Sequence, residues 1–326
     1  MKGYKWMIVR AAVMTLIFAG SLTAEMTVED AHIINKNKFK IRGAVMYIQS
    51  QKCYSDEVWK AFRDSSPYSS DYDKMISIPD GWHVKTVKIA TGFEYGVAKD
   101  LNVGIFLPYV IKDVRKQVWS KSANATVWKD IDDKGLEDFW LIAKYRIYSQ
   151  SKGFLGLNWK SGLLFAAALK PSISSDEKIK NGIGTGANEF KLLLLSKPCI
   201  SRKAFLFAKI WYQYSGKVKE IENFPKSGWD LGDKLGYRFF LGYKMLNSRL
   251  VIVGGPIGWI KWDDRDKNGN KIEDSNAYSH NIVLKIVSHP FKTRRFVVKG
   301  GVKIPYTDKI PFAPGFVPFF YTAYLL

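Results

Sequence analysis

The sequence predicts an all-β protein: a transmembrane, antiparallel, up-and-down β-barrel of about twelve strands, with short periplasmic turns and long extracellular loops. Three observations predict it. Apolar residues alternate with small or charged ones along runs of about ten residues or more, the length that crosses a bilayer at a tilt, whereas soluble strands stop near five or six. Glycine recurs on the polar edge, at Gly92, Gly96, Gly104, Gly156, Gly162 and Gly242, which suits a crowded barrel interior better than a solvated face. The connections between the runs alternate between long and short, as outer-membrane barrels require.

The chain starts with Lys2, Lys5 and Arg10, then an apolar run from Ala11 to Gly20, and a small residue, Ala24, stands at the expected cut. Residues 1–24 therefore read as a secretory signal, too short in its apolar run to span a bilayer. Residues 25–326 read as one barrel domain, with 25–37 a periplasmic segment and candidate plug. A first strand is expected over 38–50. His83 to Ala98 places Val87, Ile89, Thr91, Phe93, Tyr95 and Val97 on one edge and Lys88, Ala90, Gly92, Glu94 and Gly96 on the other. Leu101 to Lys112 repeats the pattern after the two-residue turn Lys99–Asp100, so the two runs form a hairpin.

"GLEDFWLIAKYRIYSQ" (135–150) sets Leu141, Ala143, Tyr145 and Ile147 against Ile142, Lys144 and Arg146. A strand is predicted over 153–171, with Leu155, Leu157, Trp159, Leu163 and Phe165 on the lipid side. Further strands centre on Lys191, Lys209 and Arg238, where Lys209, Trp211 and Gln213 oppose Leu206, Ala208, Ile210, Tyr212 and Tyr214. The run 249–262 is too uniformly apolar to assign its faces. Two more follow around Lys285 and around Lys299 and Lys303, and the last strand alternates Phe320, Thr322, Tyr324 and Leu326. The expected short turns are 99–100, 150–152, 199–202, 247–248 and 290–292. The long loops are 51–82, 113–135, 172–185, 217–231, 263–276 and 306–315. Tyrosines on the lipid edge fall at both strand ends, Tyr109, Tyr212, Tyr214 and Tyr237 near loops, Tyr95, Tyr145, Tyr243 and Tyr324 near turns. That is the pattern of two interfacial girdles.

Composition narrows the function. The formal charge of +20 becomes +17 once Lys2, Lys5 and Arg10 leave with the signal. In an exported chain this points to anionic solutes or lipid head groups and not to nucleic acid. Cys53 and Cys199 are too few for a disulfide framework and lack the spacing of a zinc site; whether they pair is open.

The expected lumen-facing cations are Lys88, Lys144, Arg146, Lys160, Lys170, Lys191, Lys209, Arg238, Lys244, Lys285, Lys299 and Lys303. They outnumber the lumen-facing acids, chiefly Glu94 and Glu189. In a narrow tube the excess favours anions; the competing reading is that each cation pairs with a carboxylate and fills a polar interior. Residues 263–274 place Asp264, Asp266, Asn268 and Asn270 at positions 1, 3, 5 and 7 of a calcium-loop pattern with Gly269 at the sharp turn, but position 12 is Ser275, leaving Glu273 or Asp274 to substitute. Calcium is the one cofactor considered; a loop of Asp, Asn and Gly is also ordinary turn chemistry. Ser279 and His280 are neighbours along a strand and point to opposite faces, so they form no hydrolase pair, and no catalysis is expected.

"FEYGVAKDLNVGIFLPYV" (93–110), "GLEDFWLIAKYRI" (135–147), "GIGTGANEFKLLLLSK" (182–197), "FAKIWYQYSG" (207–216) and "VKGGVKIPYTDKIP" (298–311) together resemble the outer-membrane proteins labelled as putative phenol-degradation meta-pathway transporters. The chain departs from that pattern at Glu137, where the family carries a glycine, and at its end, Leu326 in place of an aromatic residue. The resemblance implies passage of aromatic or other hydrophobic compounds across the outer membrane. A channel or facilitator for small solutes is thus expected, with lipid and the barrel-assembly machinery as partners. The alternatives are a lipid-modifying enzyme or a structural or adhesive barrel.

Overall fold

A computed structural model describes residues 33–54, 75–120, 125–150, 159, 162–273, 275–291, 295–309 and 312–326. The signal segment, the segment 25–32, Lys160 and Asp274 lie outside them. In chain order the elements are β1 Phe39–Tyr54, β2 Met75–Ser77, β3 His83–Ala98, β4 Leu101–Ser120, β5 Ala125–Leu136, β6 Trp140–Tyr148, β7 Leu163–Lys170, α1 Asp176–Lys180, β8 Ala187–Ser196 and β9 Ala204–Val218. They continue with β10 Lys234–Met245, β11 Leu250–Lys261, β12 Ala277–Ser288, β13 Phe296–Lys309, β14 Phe312–Pro314 and β15 Val317–Leu325.

Twelve of these strands close an antiparallel barrel. Neighbours in sequence pair in turn from β3 through β4, β6 and onward to β13, β15 follows β13, and β1 joins the ends by pairing with both β15 and β3. Lys40 sits opposite Leu325 on one side and Glu94 on the other. Closure leaves no strand edge exposed to lipid, the condition a sheet must meet in a bilayer. The remaining strands are additions at the loop end: β2 and β14 pair with the end of β1, and β5 pairs with the far half of β4.

The two faces follow the predicted parity. On β6, Leu141, Tyr145 and Ile147 are exposed to the outside while Trp140, Ile142 and Lys144 are buried inside. Tyr145 and Tyr243 at turn ends and Tyr212 and Tyr214 at loop ends are outward-facing and exposed. On β11, whose faces the sequence left open, Val251, Val253 and Ile257 face inward and Ile252 and Ile260 outward. The interior is a packed apolar cluster including Phe106, Trp140, Phe205, Phe207, Trp211, Phe240 and Tyr321, as expected where a small barrel is filled by its own side chains.

The interior glycines make room for those rings. Gly236 pairs across strands with Trp211, and Gly242 with Phe205; a Cβ at Gly236 would lie 2.2 Å from the indole Cε2, and at Gly242 2.1 Å from the Phe205 ring. A ring laid over a cross-strand glycine is a standard way to fill a sheet position that has no side chain. Gly236→Ala is expected to lower the unfolding transition of the folded barrel by about 1–3 kcal/mol through overpacking. Adding Trp211→Leu should restore most of that loss in the same urea titration.

Two expectations need correction, and one open question is answered. The loop 113–135 is a hairpin instead, β4 continuing to Ser120 and β5 returning from Ala125; its register of Lys112 to Asp133 and Arg115 to Asp130 puts opposite charges across the ladder, which stabilises the pair outside the bilayer. Among the described residues the strand expected over 153–171 runs Leu163–Lys170, while 151–158, 160 and 161, and with them most of the expected turn 150–152, lie outside the described residues. Trp159 lies outside the strand, and Gly162 has a left-handed φ of 86°, a conformation that interrupts a strand. Cys199 is free and lies at the turn end, whereas position 53 is in the loop-end part of β1, so the barrel's length separates the two.

Candidate functional site: the barrel lumen

Each lumen-facing side chain owes its height to its place along a tilted strand. On β9 the inward residues run Phe205, Phe207, Lys209, Trp211 and Gln213 from turn end to loop end. Lys209 is level with Leu195 on one side and Arg238 on the other, and Arg238 with Ile257. These four and Leu193 are buried and form a layer across that side of the lumen. It separates two cavities that share no lining residue.

The loop-end cavity, about 240 Å³, is walled by Trp140, Trp211 and Trp259, with Lys170, Lys191, Glu137, Glu189, Gln213 and Lys234 also lining it. Lys191 Nζ lies 4.8 Å from the Trp140 ring centroid and 4.4 Å from that of Trp211. A cation held between two indole faces is attracted by both ring quadrupoles. Lys170 Nζ donates to Thr185 Oγ1 at 2.9 Å and pairs with Glu189 Oε2 at 3.0 Å, and Gln213 Nε2 donates to the same carboxylate oxygen at 2.8 Å. The volume exceeds the ~150 Å³ of apolar cavity known to hold benzene.

The turn-end cavity, about 580 Å³, is floored by Phe205, Phe207, Phe240 and Tyr321 and reaches down to Cys199, Ser248 and His289. Here too the cations sit over rings. Lys285 Nζ is 4.4 Å from the Phe240 centroid, Lys299 Nζ 4.2 Å from that of Tyr321, and Lys197 and Lys244 lie over Phe205 at 4.3 and 5.7 Å. Ile33 and Ile34 form part of the wall, brought there because Asn37 N donates to Gly96 O and Gly96 N to Lys38 O.

Beside the cavities lies a sealed charge cluster. The Glu94 carboxylate takes the Arg42 guanidinium, the Lys144 ammonium and the Asn102 amide, the last at 2.8 Å. All four side chains are buried.

The loop-end mouth is organised by Asp138, itself wholly buried between β5 and β6. Its Oδ1 accepts Ile173 N, Ser174 N and Ser174 Oγ at 2.9, 2.9 and 2.8 Å, and its Oδ2 accepts Thr185 N at 3.2 Å. The connection 171–186, with α1 in it, is thereby folded against the mouth. A second clasp joins Lys178 of α1 to Asp133 of β5, with Asn181 Nδ2 donating to Asp133 Oδ2 at 2.8 Å. The Lys178 hydrogen bond, and after it that of Asn181, hold the Asp133 carboxyl below its ordinary value. A carboxylate depressed on folding stabilises the clasp above the unfolded pKa near ~3.9 and loses that contribution as pH falls through the folded value. Conductance in planar bilayers should rise as the loop side is taken from about pH 5 to about pH 2.5, and Asp133→Asn should remove this step.

The structure distributes the predicted cations unevenly. Lys244 and Lys299 share the turn-end cavity with Lys285, and Lys209 and Arg238 belong to the dividing layer, with Arg238 over Phe240 at 5.5 Å. Lys88 lies 3.6 Å from Glu137 at the loop end, and Arg146 Nε donates to Asp100 Oδ1 at 2.7 Å at the opposite rim. Lys303 faces inward beside Val283 and Val317. Among the described lumen cations, Lys144 and Lys170 meet carboxylates, and Lys191, Lys285 and Lys299 lie over aromatic faces. Sequence reasoning missed Trp140, Phe205, Phe207, Phe240 and Tyr321 as lining residues, although they share parity with the lysines. It also missed Lys40, Lys197 and Arg295.

The candidate calcium residues bond within their own loop and to its neighbours. Asp264 Oδ1 accepts Gly232 N at 2.8 Å and pairs with Lys261, while Asp266 Oδ1 accepts Asn268 N and Asn270 N at 2.8 Å each and its Oδ2 takes Asn270 Nδ2. Glu273 is exposed. Asp264 Oδ1 and both Asp266 oxygens are thus engaged in shaping the loop, and among the described residues no group of three or more His, Cys, Asp and Glu gathers to hold a metal. Ser279 is buried inside and accepts from Asn281 Nδ2 at 2.8 Å; His280 stacks with Tyr237, Tyr278 and Tyr306 on the other face.

No protein-family model and no curated protein matches the sequence. Among solved structures, an outer membrane channel from Pseudomonas putida F1 superposes with a TM-score of 0.63 at 10% identity, covering 90% of this chain and 97% of that one. The CymD monoaromatic hydrocarbon channel gives 0.47 at 8% identity over 90% and 89% of the two chains. The toluene transporter TbuX of Ralstonia pickettii gives 0.42 at 8% identity, over 90% of each. The first likeness shows the shared barrel fold; the other two score too low to carry an argument.

Proposed function

We propose that this chain is an outer-membrane channel for small aromatic and other hydrophobic solutes, with its long connections outside the cell and its turns in the periplasm. The observation that carries the reading is the lining: two cavities stacked along the lumen, each walled by aromatic rings contributed by separate strands. Flat apolar solutes gain dispersion and stacking against such walls, whereas sugars or peptides would lose hydration without replacement hydrogen bonds. The lipid-facing apolar band and the barrel fold shared with an outer membrane channel support the setting. The hydrolase reading is disfavoured by the opposite faces of Ser279 and His280.

Liposome swelling with the purified protein tests it. Benzyl alcohol and benzoate are expected to enter faster than into empty liposomes and faster than glucose. Rates equal to empty liposomes for both aromatics would sink the transport reading in favour of a structural barrel.

A further inference from the structure

The two ends of the barrel carry different charge on their outer rims. Among the described residues the turn end is bounded by 33–38 ahead of β1, 99–100 between β3 and β4, 197–203 between β8 and β9, 246–249 between β10 and β11, and 289–291 with 295 between β12 and β13. Asp100 is the one acidic side chain in these stretches, and it pairs with Arg146. Lys36, Lys38, Lys99, Arg202, Lys203 and Arg249 are all exposed there. The exposed acids gather at the opposite end, Asp130, Asp132, Asp176, Glu177, Glu220 and Glu222 among them.

Turn hydrogen bonds fix the backbone that carries these cations. Ser201 Oγ accepts Lys203 N at 3.2 Å and Ala204 N at 3.0 Å, and Lys99 O accepts Arg146 Nη2 at 3.3 Å. Arg249 N donates to Leu246 O at 3.0 Å, and Arg249 O accepts His289 N at 2.7 Å. The charges therefore stand at set places around the circumference, spread over separate turns. Beside them are exposed apolar side chains: Ile200 next to Arg202, Leu246 near Arg249, and Phe291, at 48%, 70% and 59% exposure. One step further along the outer wall come Tyr145 and Tyr243, outward and exposed, in the position of an interfacial girdle. Long cationic side chains with apolar stems, set among exposed apolar neighbours, suit the boundary between acyl chains and head groups.

We propose that the turn-end rim is a binding surface for anionic phospholipids, whose phosphate head groups it receives from the leaflet it meets. Lys36, Lys38, Lys99, Arg202, Lys203 and Arg249 supply the charge, and Ile200, Leu246 and Phe291 lie against the upper acyl chains. Each basic side chain near a membrane surface adds attraction to anionic lipid, and salt screens that attraction. A protein with an acidic face would engage one continuous patch. Cations on separate turns around the ring, with apolar residues interleaved, match a shell of lipids instead. The surface lies outside the lumen, so it goes beyond the channel reading and does not depend on which solute passes.

The test is electron paramagnetic resonance of spin-labelled phosphatidylglycerol and phosphatidylcholine in phosphatidylcholine membranes holding the full barrel. Phosphatidylglycerol is expected to associate at least threefold more strongly than phosphatidylcholine at about 20 mM salt, the ratio falling towards one at about 1 M. The Lys36→Gln/Lys38→Gln/Lys99→Gln/Arg202→Gln/Lys203→Gln/Arg249→Gln variant should bring the ratio close to one at low salt. Lys129→Gln/Lys217→Gln/Lys226→Gln, which removes exposed loop-end cations, should leave it unchanged. Heat-modifiable gel migration verifies folding; if the sixfold variant does not fold, Arg202→Gln/Lys203→Gln/Arg249→Gln should at least halve the excess over one. A wild-type ratio of one, or a folded variant that keeps the wild-type ratio, overturns the surface. Poly-glutamate that binds the wild type but not the sixfold variant, without any lipid preference, overturns it in favour of an acidic protein partner. Liposome swelling reads the channel separately: solute flux without lipid preference leaves the channel standing, and lipid preference without flux leaves the rim standing.

Discussion

Replacing Glu94 with glutamine is expected to destabilise the folded barrel by about 3–5 kcal/mol, one of the largest effects of any single lumen substitution. Glutamine conserves shape and can still accept a hydrogen bond from Asn102, so the change isolates charge. What it removes is the carboxylate that faces both Arg42 and Lys144, whose exposures are 3% and 1%. Two cations would then sit together in an enclosed interior, each desolvated and repelling the other, which is why breaking a buried pair costs more than the pair contributes. Lys144→Met alone should be far milder, because one carboxylate and one guanidinium remain matched. In the Glu94→Gln background it should recover a substantial part of the loss. Urea titration of barrels refolded in micelles reads all three variants. An unchanged midpoint for Glu94→Gln would mean that water reaches the cluster and that it is not sealed.

The second large effect is expected at the loop-end mouth. Asp138→Ala removes the acceptor of four hydrogen bonds, from Ile173, Ser174 twice and Thr185, at a position with no solvent exposure. Hydrogen bonds to a charged acceptor are worth about 1.5–3 kcal/mol each, and buried amides left without partners add their desolvation cost. The 171–186 connection cannot keep its fold against that sum, whereas the strands beneath, with their own ladders, can. The expected result is local: rapid tryptic cleavage after Lys178 and Lys180, higher single-channel conductance, and a barrel that still migrates as folded before boiling. Asp138→Asn, which retains one carbonyl oxygen, should fall between. Loss of the whole barrel, or no change in cleavage and conductance, would contradict the assignment of Asp138 as the anchor of this connection.

Most of the barrel was legible because alternation is a local property. Leu141, Ala143, Tyr145 and Ile147 face outward whatever their neighbours do, since a strand presents successive residues to opposite sides. The same parity placed Lys144, Lys209 and Trp211 inside, and would also have placed Phe205 and Phe207 there beside them. The hairpin of β4 and β5 was missed because its residues alternate charge with charge as much as with apolar groups, so no lipid-facing edge announces it. The break before Leu163 depends on the left-handed turn at Gly162, and glycine in that stretch reads equally well as an interior strand residue.

From its sequence alone this protein was determined to be a membrane-type barrel, its strand count, the face of most residues and the cationic character of its lumen included. Only the tertiary structure decided what those cations do. Lys144 is sealed against Glu94, Lys191 is held between two indoles, and Lys285 and Lys299 stand over rings around an open cavity. Parity fixes which side of the wall a side chain occupies, but strand stagger sets its height, and closure sets which side chain it meets across the lumen. Both are properties of the whole ring of strands, and no single strand carries them.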